Sequence, residues 1–166
     1  MANKILYIGA HGTGKSTAAL AKAAEIKTSD RKLSVKVIEE NVREIQRISK
    51  VDINTPSFQK LCFVDHLHKE LLFDNLYDIL ICDRTCLDTL VYGLAAGIKL
   101  PPEYFSLAIR HLDTFSEIYF YRPKDRSKPL TDDGFRDLDL KFRDEVDSMF
   151  ESVLKLWGGQ YTEIRN

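Results

Sequence analysis

Short apolar runs alternate with longer segments of helical periodicity along this chain. Five runs have the length and composition of β-strands, at residues 4–8, 34–38, 78–83, 117–121 and 161–164. The run at 78–83, Asp-Ile-Leu-Ile-Cys-Asp, is apolar throughout its interior, which is typical of a central parallel strand that is buried on both faces. The run at 34–38 is rich in β-branched residues. We therefore predict five strands.

Helical periodicity fills the intervals between these runs. Strong helix formers follow the first run at 18–26, and apolar residues recur at helical spacing in the segments 42–48, 56–72, 86–96, 103–112 and 135–157. Alternating strands and helices predict an α/β fold, with a parallel sheet flanked by helices in a single domain over residues 1–166.

Composition and charge limit the classes of function that the protein can have. Hydrophobic residues make up 44% of the chain and charged residues 30%, as in an ordinary globular domain. The net charge of -1 gives no global attraction to nucleic acid or to a membrane surface. The apolar runs are too short to span a membrane, so we expect a cytoplasmic protein. The three cysteines form no CxxC pair and are expected to be reduced core thiols. The oligomeric state stays open, a homodimer included.

A glycine-rich loop between the first strand and the first helix carries the strongest chemical signal. Gly9-Ala10-His11-Gly12-Thr13-Gly14-Lys15-Ser16 matches G-x-x-x-x-G-K-[ST], the phosphate-binding P-loop. Backbone N–H groups face the phosphates there, while Lys15 adds a charge and Ser16 offers a hydroxyl to Mg²⁺. We expect ATP or GTP with Mg²⁺ to be held by Gly9, Gly12, Thr13, Gly14, Lys15, Ser16 and Thr17. His11 is expected to be a neutral, solvated imidazole without a role.

Charged residues at the ends of two further strands indicate catalysis. Asp83 ends its strand at the edge where parallel strands deliver side chains to a crevice, so it is either a carboxylate on the magnesium side or a strand-end cap. Arg84 would hold an anionic substrate or the transferring phosphoryl group, unless it forms a surface salt bridge. Alternation along the strand favours Glu40 over Glu39 as the base for an acceptor hydroxyl, with a helix-terminal charge effect as the alternative.

The segment 122–136 is charged, contains two prolines and precedes a long helix. These features suit a lid that excludes water and brings an arginine, Arg126 or Arg136, to the phosphates, although a solvated loop would have the same composition. His66 and His68 lie two residues apart on a helix, so they face different directions and are not expected to share a metal ion. We expect both on a solvated surface.

Four segments in the same order resemble P-loop nucleoside and nucleotide kinases, and most closely the AAA-like group that includes ribosylnicotinamide kinase domains. They are the loop 9–17, Glu40-x-x-Arg43, Asp83-Arg84-Thr85 with Asp88, and Asp132-Asp133-Gly134-x-Arg136. The Asp-Arg pair with Leu90-x-Tyr92 also resembles thymidylate kinases, but the acidic loop residue of those enzymes is absent near His11. The resemblance implies the strand order 2-3-1-4-5 and a substrate site that includes Glu40, Arg43, Arg84 and Asp88.

These observations predict a small kinase that transfers the γ-phosphate of MgATP to a nucleoside, a nucleotide or a similar small acceptor. Lys15, Ser16 and Asp83 would hold MgATP, Glu40 would be the base, and Arg84 with Arg136 would neutralise charge on the acceptor and the transition state. One alternative is a polynucleotide 5′-hydroxyl kinase, which needs a basic track for a strand. The other is a switch ATPase that acts on a protein partner.

Overall fold

Five parallel strands form one sheet in the structure, a computed structural model that describes residues 1–127 and 138–166. The strands are β1 (Asn3–Ile8), β2 (Val35–Ile38), β3 (Ile79–Asp83), β4 (Glu117–Arg122) and β5 (Thr162–Arg165). Their order is β2-β3-β1-β4-β5. The predicted α/β class, the parallel pairing and the strand order are all confirmed.

Six helices lie within the described residues: α1 (Lys15–Ser29), α2 (Val42–Ser49), α3 (Pro56–Phe73), α4 (Cys86–Ala95), α5 (Pro102–Leu112) and α6 (Leu140–Trp157). Local chemistry sets the start of α3. The Thr55 hydroxyl accepts the Phe58 N–H at 3.3 Å, and Pro56 occupies the first helical position of α3. None of the helices in these parts of the chain combines the length and the hydropathy that a membrane crossing needs.

The start of α6 differs from the prediction. The Asp139 carboxylate accepts the Lys141 N–H at 2.8 Å, so this side chain caps the helix and Leu140 is its first residue. Residues 138 and 139 precede the helix, which the periodicity had extended back to residue 135. The prediction for 135–137 lies outside the described residues.

Alternation along the central strands divides the core between the two faces of the sheet. Ile5 and Tyr7 of β1 pack with Ile81 of β3 against α1, in a small cluster on one face. Leu6 and Ile8 point to the opposite face, where a larger cluster joins residues of α3, α4, α5 and α6. Burial on both faces explains why the β1 and β3 segments are apolar without alternation.

The strand register brings the predicted chemistry to one edge of the sheet. Tyr7 of β1 is paired with Asp83, so the P-loop and the segment after β3 leave the sheet side by side. Gly9 has a φ of 131°, and a Cβ atom at this position would lie 2.1 Å from the Tyr121 carbonyl oxygen. Only glycine lets the loop pass this close to β4 before it turns into α1.

The first part of the predicted lid belongs to the sheet instead. Arg122 is the last residue of β4 and is 4% exposed. Its guanidinium lies 2.7 Å from both Asp147 and Glu151 of α6. Arg126 also bonds Asp147, at 2.7 Å. These two arginines therefore anchor α6 to the sheet. Residues 128–136 of the predicted lid, Arg136 and Asp132-Asp133-Gly134 among them, lie outside the described residues.

Candidate functional site

A cavity of about 630 Å³ opens beyond the carboxyl ends of β1, β2 and β3. Its volume lies within the range of small-molecule sites in proteins. The P-loop forms one part of its wall, and α3 and α4 form another. The predicted residues on the wall are Gly12, Gly14, Lys15, Ser16, Thr17, Glu40, Arg43, Arg84 and Asp88. Gly9, Thr13 and Asp83 lie behind this wall, and Glu39 is exposed outside it.

The P-loop geometry suits an anion. Gly12 and Gly14 have left-handed backbones, with φ of 74° and 84°, and Gly14 is the N-cap of α1. The amino-terminal N–H groups of α1 therefore reach the cavity, together with the positive end of the helix dipole. The Ser16 and Thr17 side chains are exposed in the cavity wall. This arrangement is a cradle for phosphate oxygens.

Lys15 is the buried cation of this cradle. It is 4% exposed, and its ammonium donates to the Ala10 carbonyl oxygen at 2.6 Å. Burial, together with the nearby Arg84 charge, lowers the pKa of Lys15 from 10.5 to about 7, against the opposing effect of neighbouring carboxylates. An anion in the cavity favours the protonated lysine, so phosphate binding at neutral pH is linked to proton uptake.

Arg84 adopts an unusual backbone conformation to enter the cavity. Its φ is 80°, in the left-handed region, which costs a bulky residue about 1–3 kcal/mol. The side chain is 8% exposed; its Nε donates to Glu40 at 2.8 Å, and its guanidinium lies 4.8 Å above the Tyr92 ring. Nη1 lies 3.5 Å from Asp88. The alternative of a surface salt bridge is therefore excluded.

Asp88 closes the amino terminus of α4 while it faces the cavity. Its carboxylate accepts the Thr85 N–H at 2.9 Å, and the residue is 2% exposed. Burial raises the pKa of Asp88 from 3.8 to about 7, although the Arg84 charge and the Thr85 hydrogen bond both oppose this shift. A carboxyl group that titrates near neutral pH thus lies within the site.

We expect the substitution Asp88→Asn to stabilise the ligand-free protein increasingly as pH rises from about 4 to 7. In this window the unfolded wild type loses the Asp88 proton and the folded state keeps it, so the wild-type free energy of unfolding falls with pH by at most about 1.4 kcal/mol per pH unit. The asparagine oxygen still accepts the Thr85 N–H. Urea unfolding of both proteins across this range measures the difference, and a difference that is independent of pH would contradict the shift.

Ser16 and Asp83 carry the oxygens expected to serve a magnesium site, although Asp83 is buried and does not line the cavity. Asp83 is 4% exposed at the end of β3, and among the described residues its Oδ1 has no hydrogen-bond partner. Such a buried oxygen suits a hard cation or its water ligands. Within residues 1–127 and 138–166, no group of three His, Cys, Asp or Glu residues forms a dedicated metal cage. Mg²⁺ that is held mainly by phosphates, with one or two protein oxygens, matches this arrangement.

Two histidines are more buried than the sequence indicated. His11 was expected to be solvated, but it is 7% exposed, and its Nδ1 lies 3.3 Å from the Tyr92 hydroxyl. His66, also expected on a solvated surface, is 3% exposed and lines the cavity, whereas His68 is exposed as predicted. Helical spacing contained the missing signal, because His66 follows Phe58 at twice the four-residue repeat that marks one helix face.

A buried polar cluster beneath the site is absent from the sequence prediction. The Glu70 carboxylate is fully buried and accepts the Thr85 hydroxyl at 2.8 Å. His111 Nε2 lies 2.6 Å from the same carboxylate, and the Lys4 ammonium lies 4.0 Å away. These groups come from four elements that are distant in the sequence, so no local pattern reveals them. The cluster fixes Thr85, and with it the backbone beside Arg84.

Comparison with known proteins agrees with this geometry. A family model described as an AAA domain matches residues 4–166, from the first strand through the P-loop to the end of the chain. The search of curated proteins gave no match. Since the model spans almost the whole sequence and includes the P-loop cradle, the chain belongs to this family of AAA domains and is a P-loop nucleotide-binding protein.

Proposed function

We propose that this domain is an ATP-dependent kinase that phosphorylates a hydroxyl or phosphate group of a small acceptor such as a nucleoside or a nucleotide. One observation carries the proposal: the cavity continues past the P-loop to the Glu40–Arg84 ion pair, which is 2.8 Å long. A carboxylate, a guanidinium and the P-loop lysine therefore share one space. Its volume leaves room for a small molecule beside the phosphates.

The proposed reaction assigns one task to each group. The P-loop N–H groups and Lys15 hold the β- and γ-phosphates. Glu40 accepts the proton of the acceptor hydroxyl. The hydroxyl oxygen bonds to the γ-phosphorus while the bond between that phosphorus and the β–γ bridging oxygen breaks, which releases ADP. Arg84 stabilises negative charge on the transferring group. Mg²⁺, when bound through Ser16 and Asp83, would neutralise phosphate charge.

Arg43 and Asp88 complete the proposed acceptor site. Arg43 lies in the first turn of α2 and lines the cavity from the Glu40 side. Asp88 lines it from α4. Neither residue belongs to the P-loop, which supports a role in orienting the acceptor rather than the nucleotide. Orientation of this kind converts binding energy into rate.

The first test is a thermal-shift panel followed by transfer assays. MgATP and MgGTP are tested alone, and then with nucleosides, nucleoside monophosphates, ribosylnicotinamide and short oligonucleotides. We expect MgATP to raise the melting temperature and at least one small acceptor to become phosphorylated in a 1:1 ratio with ADP formation. Slow hydrolysis without transfer would favour a switch ATPase. Phosphorylation of oligonucleotides alone, with a steep salt dependence, would favour a polynucleotide kinase.

A further inference from the structure

One face of α3 forms a part of the cavity wall that is much less charged than the P-loop part. Phe58, Cys62 and His66 follow each other at intervals of four residues, are each 2–3% exposed, and all line the cavity. The P-loop wall is charged and rich in N–H groups, whereas this wall presents a ring, a thiol and an imidazole. An acceptor that occupies the cavity beside a nucleotide would contact this face.

The His66 side chain is 3% exposed, and no hydrogen bond joins its ring to another described residue; its nitrogens are not among the sealed, unpartnered atoms of the core, so the ring faces the cavity. Glu70, one turn later on the same face of α3, does have protein partners: its carboxylate hydrogen-bonds Thr85 and His111. A polar ring that faces a cavity without a protein partner is left to hydrogen-bond water or a ligand there. A ligand in the cavity would supply the missing partner.

The charges around His66 disfavour an anionic ligand, because three carboxylates and one arginine act on it. Burial lowers the pKa of His66, against the opposing effect of the Glu70, Glu40 and Asp65 carboxylates. The neutral imidazole offers one donor and one acceptor. The cavity wall also includes the uncharged polar residues Asn54 and Gln59.

The cation closest to this wall is already engaged. Arg84 bonds Glu40 at 2.8 Å and lies 3.5 Å from Asp88, so its charge is already engaged by two carboxyl groups of the protein before an acceptor binds. A second phosphate group on the acceptor would add negative charge beside these carboxyl groups. The α3 side of the cavity is therefore better suited to a ligand without a phosphate of its own.

We propose that His66 is a substrate-binding residue that hydrogen-bonds a polar group of an uncharged, unphosphorylated acceptor with an apolar body, as in a nucleoside. The inference rests on the proposed kinase function, since it names the acceptor class for the same cavity. It selects nucleoside-like acceptors over nucleotides and assigns their recognition to α3.

The test compares three variants of the full chain with the wild type. His66→Phe removes the hydrogen bond and keeps a ring, His66→Gln keeps a donor and an acceptor, and His68→Phe is a control on the exposed side of the same helix. Thermal shifts are measured with MgADP alone and with MgADP plus each of adenosine, guanosine, cytidine, uridine and thymidine, and with their 5′-monophosphates. Circular dichroism reports whether each variant is folded.

We expect at least one nucleoside to raise the melting temperature of the wild type and of His68→Phe, and its monophosphate to have a smaller effect. His66→Phe should lose this shift, with the MgADP shift unchanged, and His66→Gln should keep part of it. For a nucleoside that is phosphorylated, KM should rise about tenfold to a hundredfold in His66→Phe while kcat changes little. A merely structural role would reduce the MgADP shift as well.

Three results would overturn the inference: equal nucleoside shifts in the wild type and in folded His66→Phe, stabilisation by monophosphates alone, or no response to any nucleoside. Should His66→Phe fail to fold, full nucleoside binding and an unchanged KM in a folded His66→Leu, which has neither a donor nor an acceptor, would overturn it equally. Failure of this inference can be distinguished from failure of the kinase proposal, because nucleoside binding is measured with MgADP and requires no phosphoryl transfer. A His66-dependent nucleoside shift without phosphoryl transfer would refute the kinase and keep the binding residue.

Discussion

Replacing Lys15 with methionine should lower phosphoryl transfer by about 10²- to 10³-fold and weaken the binding of MgATP. The ammonium lies in the wall of the cavity, at the start of α1, where the P-loop N–H groups converge. Methionine keeps the length and the apolar stem of the side chain but removes the positive charge that the γ-phosphate needs. Isothermal titration with MgATP and steady-state transfer assays measure the two effects.

Lys22 offers a matched control on the same helix. It pairs with Glu25 at 3.4 Å on the outer side of α1 and does not line the cavity. Lys22→Met therefore removes the same charge from the same helix without touching the site. We expect nucleotide affinity and turnover close to those of the wild type, because exposed ion pairs of this kind contribute little.

The Lys15 variant should also remain folded, so its loss of activity can be attributed to the site. The charged lysine is buried without an anion in the ligand-free protein, which opposes folding below its folded pKa of about 7. As pH rises from about 7 to 10.5, the unfolded state binds more protons than the folded state, and the wild type gains stability. The methionine variant lacks this dependence. Retention of full activity by Lys15→Met would overturn the assignment of the P-loop as the phosphate site.

The sequence patterns that predicted the fold are local and strong. The apolar run of β3 and the glycine spacing of the P-loop each specify their own conformation, because a strand buried on both faces and a phosphate loop have few alternative readings. The order β2-β3-β1-β4-β5 came from the resemblance of four ordered segments and is confirmed. The presence of each helix and strand was predictable from the sequence, whereas the start of α6 depended on a single capping carboxylate, that of Asp139.

Long-range pairing explains most of what the sequence could not indicate. Arg122 looks like a loop residue in isolation, because its partners Asp147 and Glu151 lie more than 20 positions away. The left-handed backbone of Arg84 is stabilised by Glu40, which follows a different strand. The predicted residues of the P-loop edge lie together on the cavity wall, but the α3 side of the wall depends on tertiary packing that no local motif encodes.

Replacing Glu40 with glutamine should lower kcat by about 10²- to 10⁴-fold and leave MgATP affinity nearly unchanged. The carboxylate lines the cavity, is 37% exposed, and contacts Arg84 rather than the P-loop. Glutamine has almost the same shape, and its amide oxygen can still accept the Arg84 Nε hydrogen bond. It cannot accept a proton from an acceptor hydroxyl. The expected loss of kcat therefore reports the basicity of the Glu40 carboxylate and not its shape or its hydrogen bond to Arg84. It is measured with saturating MgATP and saturating acceptor.

Glu39→Gln is the matched control, because Glu39 is the adjacent carboxylate and is exposed outside the cavity wall. Removing its charge should leave kcat within about threefold of the wild type, as expected for a surface position. If Glu40 served only to hold Arg84, the glutamine variant would keep most of its activity, since that hydrogen bond survives, while Arg84→Gln would not. If both glutamate variants kept full turnover, proton transfer would have to depend on another group. Asp88 would be tested next, because it is the other carboxyl group on the cavity wall and burial raises its pKa to about 7.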